Sequence, residues 1–170
     1  MNFPWLTTSR GPSIASGGIV EVGTTTAGGS TYSPTDRHLF IEWTAPQTGT
    51  LDRIYIYSDC ATSTDIKLGL YQTADTPQNA VSGTPVVFNS VGTWSAQWKE
   101  FSVSFAVTAT QKYRIGFHQA SAGLTLRYAF GTGSARREDY GLAYSDPWNN
   151  YPSFATTDVI EVSVKARISY

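Results

Sequence analysis

The chain has 170 residues, of which 15% are charged and 14% are Phe, Trp or Tyr, with a formal net charge of −1. About 25% charged residues is usual in a soluble protein, so the polar surface is carried largely by 22 Thr and 18 Ser. This near-neutral balance, with a pI of about 6.1, excludes an electrostatic footprint for nucleic acid or for an anionic membrane. β-Branched and aromatic side chains lose rotamer freedom against a helical turn and pack well on a pleated sheet, so the composition favours an all-β fold.

Residues 1–18 read as an extended arm, punctuated by Pro4, Gly11, Pro12, Gly17 and Gly18 and lacking any hydrophobic period. A short strand is predicted over Ile19–Val22. Leu39, Ile41 and Trp43 then share one face of the first clear strand. Over Leu51–Ser58, Ile54 and Ile56 lie on one side and Tyr55 and Tyr57 on the other. Asp65–Gln72 sets Ile66, Leu68 and Leu70 against Lys67, Gly69 and Tyr71, and Pro85–Ser90 is a further short run. Phe101, Val103, Phe105 and Val107 alternate with Ser102 and Ser104, and Tyr113, Ile115 and Phe117 with Arg114, Gly116 and His118. Leu124, Leu126, Tyr128 and Phe130 follow, with a weaker run at Tyr140–Tyr144. In the last run Ile160, Val162, Val164, Ala166 and Ile168 face inward and Glu161, Ser163, Lys165 and Arg167 outward.

The segments between these runs are rich in Gly, Ser, Thr, Pro, Asn and Asp, the residues that turns demand. About ten half-buried strands with no sustained helical period predict an antiparallel two-sheet β-sandwich, jelly-roll-like, as one domain over residues 19–170 after the arm of 1–18. One cysteine, Cys60, excludes an internal disulfide framework, and the sequence has no Cys/His cluster for zinc. The N-terminus has neither the basic start nor the apolar stretch of a secretory signal. The chain is therefore expected to stay where it is made, to leave by lysis, or to be a module cut from a longer secreted protein.

Several motifs resemble a family of jelly-roll modules found in bacteriophage virion proteins (decoration, tail and receptor-binding) and in extracellular carbohydrate-binding modules. They are Leu51-Asp52-Arg53-Ile54-Tyr55-Ile56-Tyr57, Ile66-Lys67-Leu68-Gly69-Leu70-Tyr71, Gly83-Thr84-Pro85, Trp98-Lys99-Glu100-Phe101-Ser102-Val103 and Lys112-Tyr113-Arg114-Ile115-Gly116-Phe117. Asp146-Pro147-Trp148 to Pro152-Ser153-Phe154, followed by Ile160–Val164, is similar to the closing loop and strand of such modules. The likeness spans about residues 37–170 and is a strand pattern, not a catalytic signature. It implies a virion location after assembly in a host cytoplasm, or alternatively an extracellular one.

Catalysis is not expected. No Gly-x-Ser-x-Gly elbow occurs, and His38 and His118 read as solvent-side residues at strand ends. No pair of acids is marked for glycoside hydrolysis. Aromatic side chains in loops can stack on sugar rings while amides orient them, which makes Trp148, Tyr144, Tyr151, Asn149 and the loop residue Trp94 the ligand- or partner-contact candidates. Phe3, Trp5 and Leu6 form the apolar tip of the arm and are the assembly candidates. No cofactor is expected. The resemblance allows a structural calcium, for which Asp59 and Asp65 are weak oxygen donors, although capping of turns explains both acids as well.

Two functions fit. One is a non-enzymatic virion structural protein of a bacteriophage, in a capsid decoration, minor capsid or tail-associated role. Its partners would be copies of itself and other virion proteins, with a trimer favoured by the resemblance. Depletion of Lys and Glu with enrichment of aromatic residues is the composition of an interface. The other is a carbohydrate-binding module of a secreted enzyme or adhesin, whose partner is a cell-surface glycan.

Overall fold

The computed structural model describes residues 17–34, 38–72, 85–130, 137–140, 144–145, 157–158 and 160–170. Those residues contain no helix and thirteen strands. In chain order they are β1 (Ile19–Gly23), β2 (Ser30–Tyr32), β3 (His38–Thr44), β4 (Gly49–Cys60), β5 (Ile66–Gln72), β6 (Val86–Phe88) and β7 (Trp94–Val107). Then follow β8 (Lys112–Gln119), β9 (Leu124–Phe130), β10 (Arg137–Tyr140), β11 (Thr157–Asp158), β12 (Ile160–Val162) and β13 (Val164–Ser169). No helix among the described residues is long and apolar enough to cross a membrane.

The strands form two antiparallel sheets, and the expected β-sandwich is the fold. One sheet has seven strands, in the order β1-β13-β4-β9-β12 with β7 also on β4 and β2 also on β9. The other has six, in the order β11-β10-β3-β8-β5-β6. The chain alternates between them from β3 to β4 to β5, and again from β7 to β8 to β9.

Period-2 patterning explains the core. Ile54 and Ile56 of β4, Phe101, Val103 and Phe105 of β7, Ile115 and Phe117 of β8, and Val164, Ala166 and Ile168 of β13 are all buried between the sheets. Fully burying such a side chain contributes about 1.5–3 kcal/mol. The register shifts between Leu51 and Arg53 where β4 pairs β7. Leu51 and Ile54 are both buried while Asp52 and Arg53 between them are half-buried, so the bulge turns two consecutive charged side chains away from the core.

Four local readings need correction. The final run is not one uniform strand: Ser163, expected to face solvent, is fully buried where β12 ends and β13 begins. There the chain changes partners. The Ser163 amide donates to the Arg127 carbonyl of β9 at 2.9 Å, and its carbonyl accepts from Tyr57 of β4 at 2.9 Å. Its hydroxyl oxygen accepts from the Gly28 amide at 2.8 Å. Second, β5 does not alternate, because Leu68, Gly69, Leu70 and Tyr71 are all buried. Third, His118 is not solvent-side but fully buried. Fourth, β7 begins at Trp94, inside the stretch expected to be a loop; of the run expected over Tyr140–Tyr144, Tyr140 ends β10, Tyr144 lies in a turn, and 141–143 lie outside the described residues.

Candidate functional site

Of the residues singled out from sequence, Phe3, Trp5, Leu6, Trp148, Asn149 and Tyr151 lie outside the described residues. The four that are described have local structural partners. Trp94 is a strand residue, half-buried and packed against the core. Its indole N–H donates to the Ser58 carbonyl at 3.0 Å, and the Lys99 amine lies 4.9 Å from its ring centroid. Tyr144, also half-buried, sits against the outer face of the six-stranded sheet. The Lys67 amine lies 4.1 Å from its ring centroid and donates to its carbonyl, and His118 meets the ring edge-on at 5.4 Å. Burial first, and then the charge of Asp65, push the Tyr144 phenol above its ordinary pKa.

Asp59 forms an ion pair with Arg127 at 2.8 Å. Asp65 accepts from the Ser90 amide at 2.7 Å, holding a residue whose φ is 48°. Capping and pairing therefore occupy both acids. No group of three or more His, Cys, Asp or Glu among the described residues is arranged to hold a metal ion.

Two surfaces that sequence reading did not single out come together in the fold. The first is the outer face of the seven-stranded sheet. Tyr57 of β4 stands directly opposite Trp98 of β7, and their rings meet edge-to-face at 5.4 Å. The Lys165 amine lies 4.9 Å from the Tyr55 ring centroid and 5.6 Å from that of Trp98, and binds Glu21 at 3.0 Å. The bulge places Asp52 against Arg167 in a two-pronged pair at 2.9 and 2.8 Å, and Arg53 against Glu100 at 2.8 Å. Arg167, which donates both hydrogen bonds, holds the Asp52 carboxyl below its ordinary pKa. The face is thus an aromatic strip framed by neutralised charges. The alternation of Tyr55 with Ile56 and Tyr57 was its only signal in the sequence.

The second surface is a cleft of about 380 Å³ where the sheets part beside β1 and β3. Ile41 and Trp43 of β3, Ile115 of β8, and Val164 and Ala166 of β13 form its apolar wall, with Val22 of β1 alongside. Thr24 and Glu161 also line it, and the Thr24 hydroxyl donates to the Glu161 carboxylate at 2.8 Å. Gly23 closes β1 at a φ of +100°, and a Cβ there would meet the Val164 carbonyl oxygen at 2.5 Å, so only glycine lets the chain turn at this border. The volume falls within the roughly 300–1,000 Å³ of ordinary ligand pockets.

The cleft is also bounded by backbone that no described strand pairs. β3 pairs β8 from Leu39 to Thr44 but pairs β10 only from His38 to Phe40. Ile41–Thr44 therefore has an open main-chain edge among the described residues. β1 likewise pairs β13 alone among the described strands. Such edges are templates for another strand.

Comparison with protein-family models, with curated proteins and with solved structures finds no match to this chain.

Proposed function

We propose that the protein is a non-enzymatic structural protein of a bacteriophage virion, in a capsid decoration, minor capsid or tail-associated role, working through contacts between subunits. The phage assignment rests on the resemblance of residues 37–170. Its operative part, action through interfaces, is supported by one observation above the others: an apolar cleft flanked by two strand edges that no described strand pairs. Exposed edges are a liability that proteins usually blunt, cover or use for pairing. The composition supports the same reading, since interfaces are poor in Lys and Glu and rich in aromatic residues.

Sedimentation velocity of the intact chain across the micromolar range tests this reading. Reversible or stable self-association is expected, with a trimer as the favoured order. A single monomeric species at every concentration overturns it.

A second reading, a carbohydrate-binding module, is supported by the Tyr55, Tyr57 and Trp98 strip. Its neutralised charges suit an uncharged glycan better than an acidic one. Glycan-array binding that disappears in Trp98→Ala would favour it, and an array without signal would count against it.

A further inference from the structure

Trp43 is 9% exposed, and its indole N–H is buried with no hydrogen-bond partner. A buried Trp N–H ordinarily finds an acceptor. This one belongs to a residue of the cleft wall and lies on the strand whose Ile41–Thr44 edge is open among the described residues. An unused side-chain donor, a strand edge that no described strand pairs and an apolar wall together fit one ligand class. An extended polypeptide brings carbonyl and amide groups to a strand edge and sends alternate side chains towards one face. A lipid tail would satisfy the apolar wall but none of the polar groups.

The sequence contains a segment of this chemistry. Residues 1–9 carry no charged side chain, and Phe3 and Trp5 flank Pro4. A residue before proline is biased towards extended backbone, and in an extended chain Phe3 and Trp5 project to the same side. Proline lacks a donor and suits an edge position. β1 begins beside Gly18, which exchanges hydrogen bonds with Tyr170, and reaches the cleft only at Val22–Thr24. At ~3.4 Å per residue, the chain enters β1 about 17 Å from its own cleft and runs towards it, so what precedes β1 starts from the far end.

We propose that residues 3–6 of one copy occupy the cleft of a second copy by strand addition, with Phe3 or Trp5 against the apolar wall and a main-chain carbonyl on the Trp43 indole N–H. This rests on the reading of the protein as self-assembling, and names the junction.

The test uses intact chains. Trp5→Ser disables the segment and Val22→Lys places a charge on the cleft wall. Each variant alone is expected to sediment as a monomer with an unchanged far-UV circular dichroism spectrum. An equimolar mixture is expected to form a dimer, because the intact cleft of one variant meets the intact segment of the other. If the unsubstituted chain assembles and both variants assemble equally well, the junction is wrong and self-assembly stands. A mixture that stays monomeric also overturns the junction, since it places the segment elsewhere or in its own cleft. If the unsubstituted chain is itself monomeric, self-assembly fails and the junction with it. Should Val22→Lys not fold, Trp43→Phe keeps an aromatic side chain and removes the donor. It is expected to weaken association about fivefold, and unchanged association would overturn the assignment.

Discussion

The two sheets present different outer faces. On the seven-stranded sheet, Tyr55, Tyr57, Trp98, Lys165 and Arg167 are half-buried and joined by ring contacts and ion pairs. On the six-stranded sheet, β5 and β8 are buried on both faces: Gly69 and Tyr71 as well as Leu68 and Leu70, and Gly116 and His118 as well as Ile115 and Phe117. Gly69 stands directly opposite Gly116, between the pairs Lys67–His118 and Tyr71–Arg114. Two facing glycines leave a trough in a sheet, which admits close approach of other chain. Tyr144 is the described residue that reaches this face, between Lys67 and His118. Among the described residues, therefore, the outer face of the six-stranded sheet is buried along β5 and β8, while that of the seven-stranded sheet keeps a half-buried aromatic strip.

The sharpest way to break this contrast is to remove one tyrosine from each face. Tyr71→Ala is expected to cost about 3–5 kcal/mol, the range for losing a large core aromatic, whereas Tyr57→Ala on the open face should cost about 1 kcal/mol or less. Urea unfolding of both variants measures the difference, and equal losses would mean that the outer faces are alike.

Titration sharpens it further. Burial holds the Tyr71 phenol far above its ordinary pKa. The folded state keeps that proton when the unfolded chain releases it, so stability should be constant below about pH 10 and fall as pH rises beyond it. In Tyr71→Phe, this part of the alkaline loss should be missing from thermal melts between pH 9 and 11.

On the open face the sign reverses. The depressed carboxyl of Asp52 stabilises the fold above its ordinary value of 3.8, and that contribution is lost as pH falls through the folded pKa. Asp52→Asn is expected to lower Tm by roughly 1–3 °C at pH 7, as suits a partly exposed pair. The gap should close when melting is repeated near pH 2.

The smallest effect has the opposite direction. The Tyr144 hydroxyl is buried without a hydrogen-bond partner among the described residues, so Tyr144→Phe removes a desolvated polar group at no cost in packing. Stability should stay level or rise by up to about 1 kcal/mol, and a clear loss in urea unfolding would reveal a partner for the hydroxyl.

The sequence made the inward-facing sets legible, because Ile54/Ile56, Phe101/Val103/Phe105 and Val164/Ala166/Ile168 each follow the period of a pleated strand. What it hid was whatever depends on a third partner. Gly69 and Tyr71 occupied the positions of an outward face, and only the pairing of β5 with β8 brings Gly69 opposite Gly116 under a cover. His118 looked exposed for the same reason. The bulge at Asp52–Arg53 escaped because two adjacent charges also fit a simple end of alternation. Of the surfaces, the cleft was invisible in advance, because its wall is made of ordinary core residues that come together only in the fold. Trp94 shows the converse, a residue placed among turn formers whose ring is nonetheless committed to Ser58 and the core.

The position of β13 carries a consequence in time. It lies between β1 and β4, holding the beginning of the described chain to its middle. Neither the β1 pairing nor the pairing of β4 on its β13 side can form until residues 164–169 have been synthesised. A ribosome-bound chain must therefore carry β4 and β7 with one side of β4 unsealed, and contacts this distant in sequence make for slow folding. Arrested nascent chains ending before Val164 should bind chaperones, and release should follow the addition of the last strand.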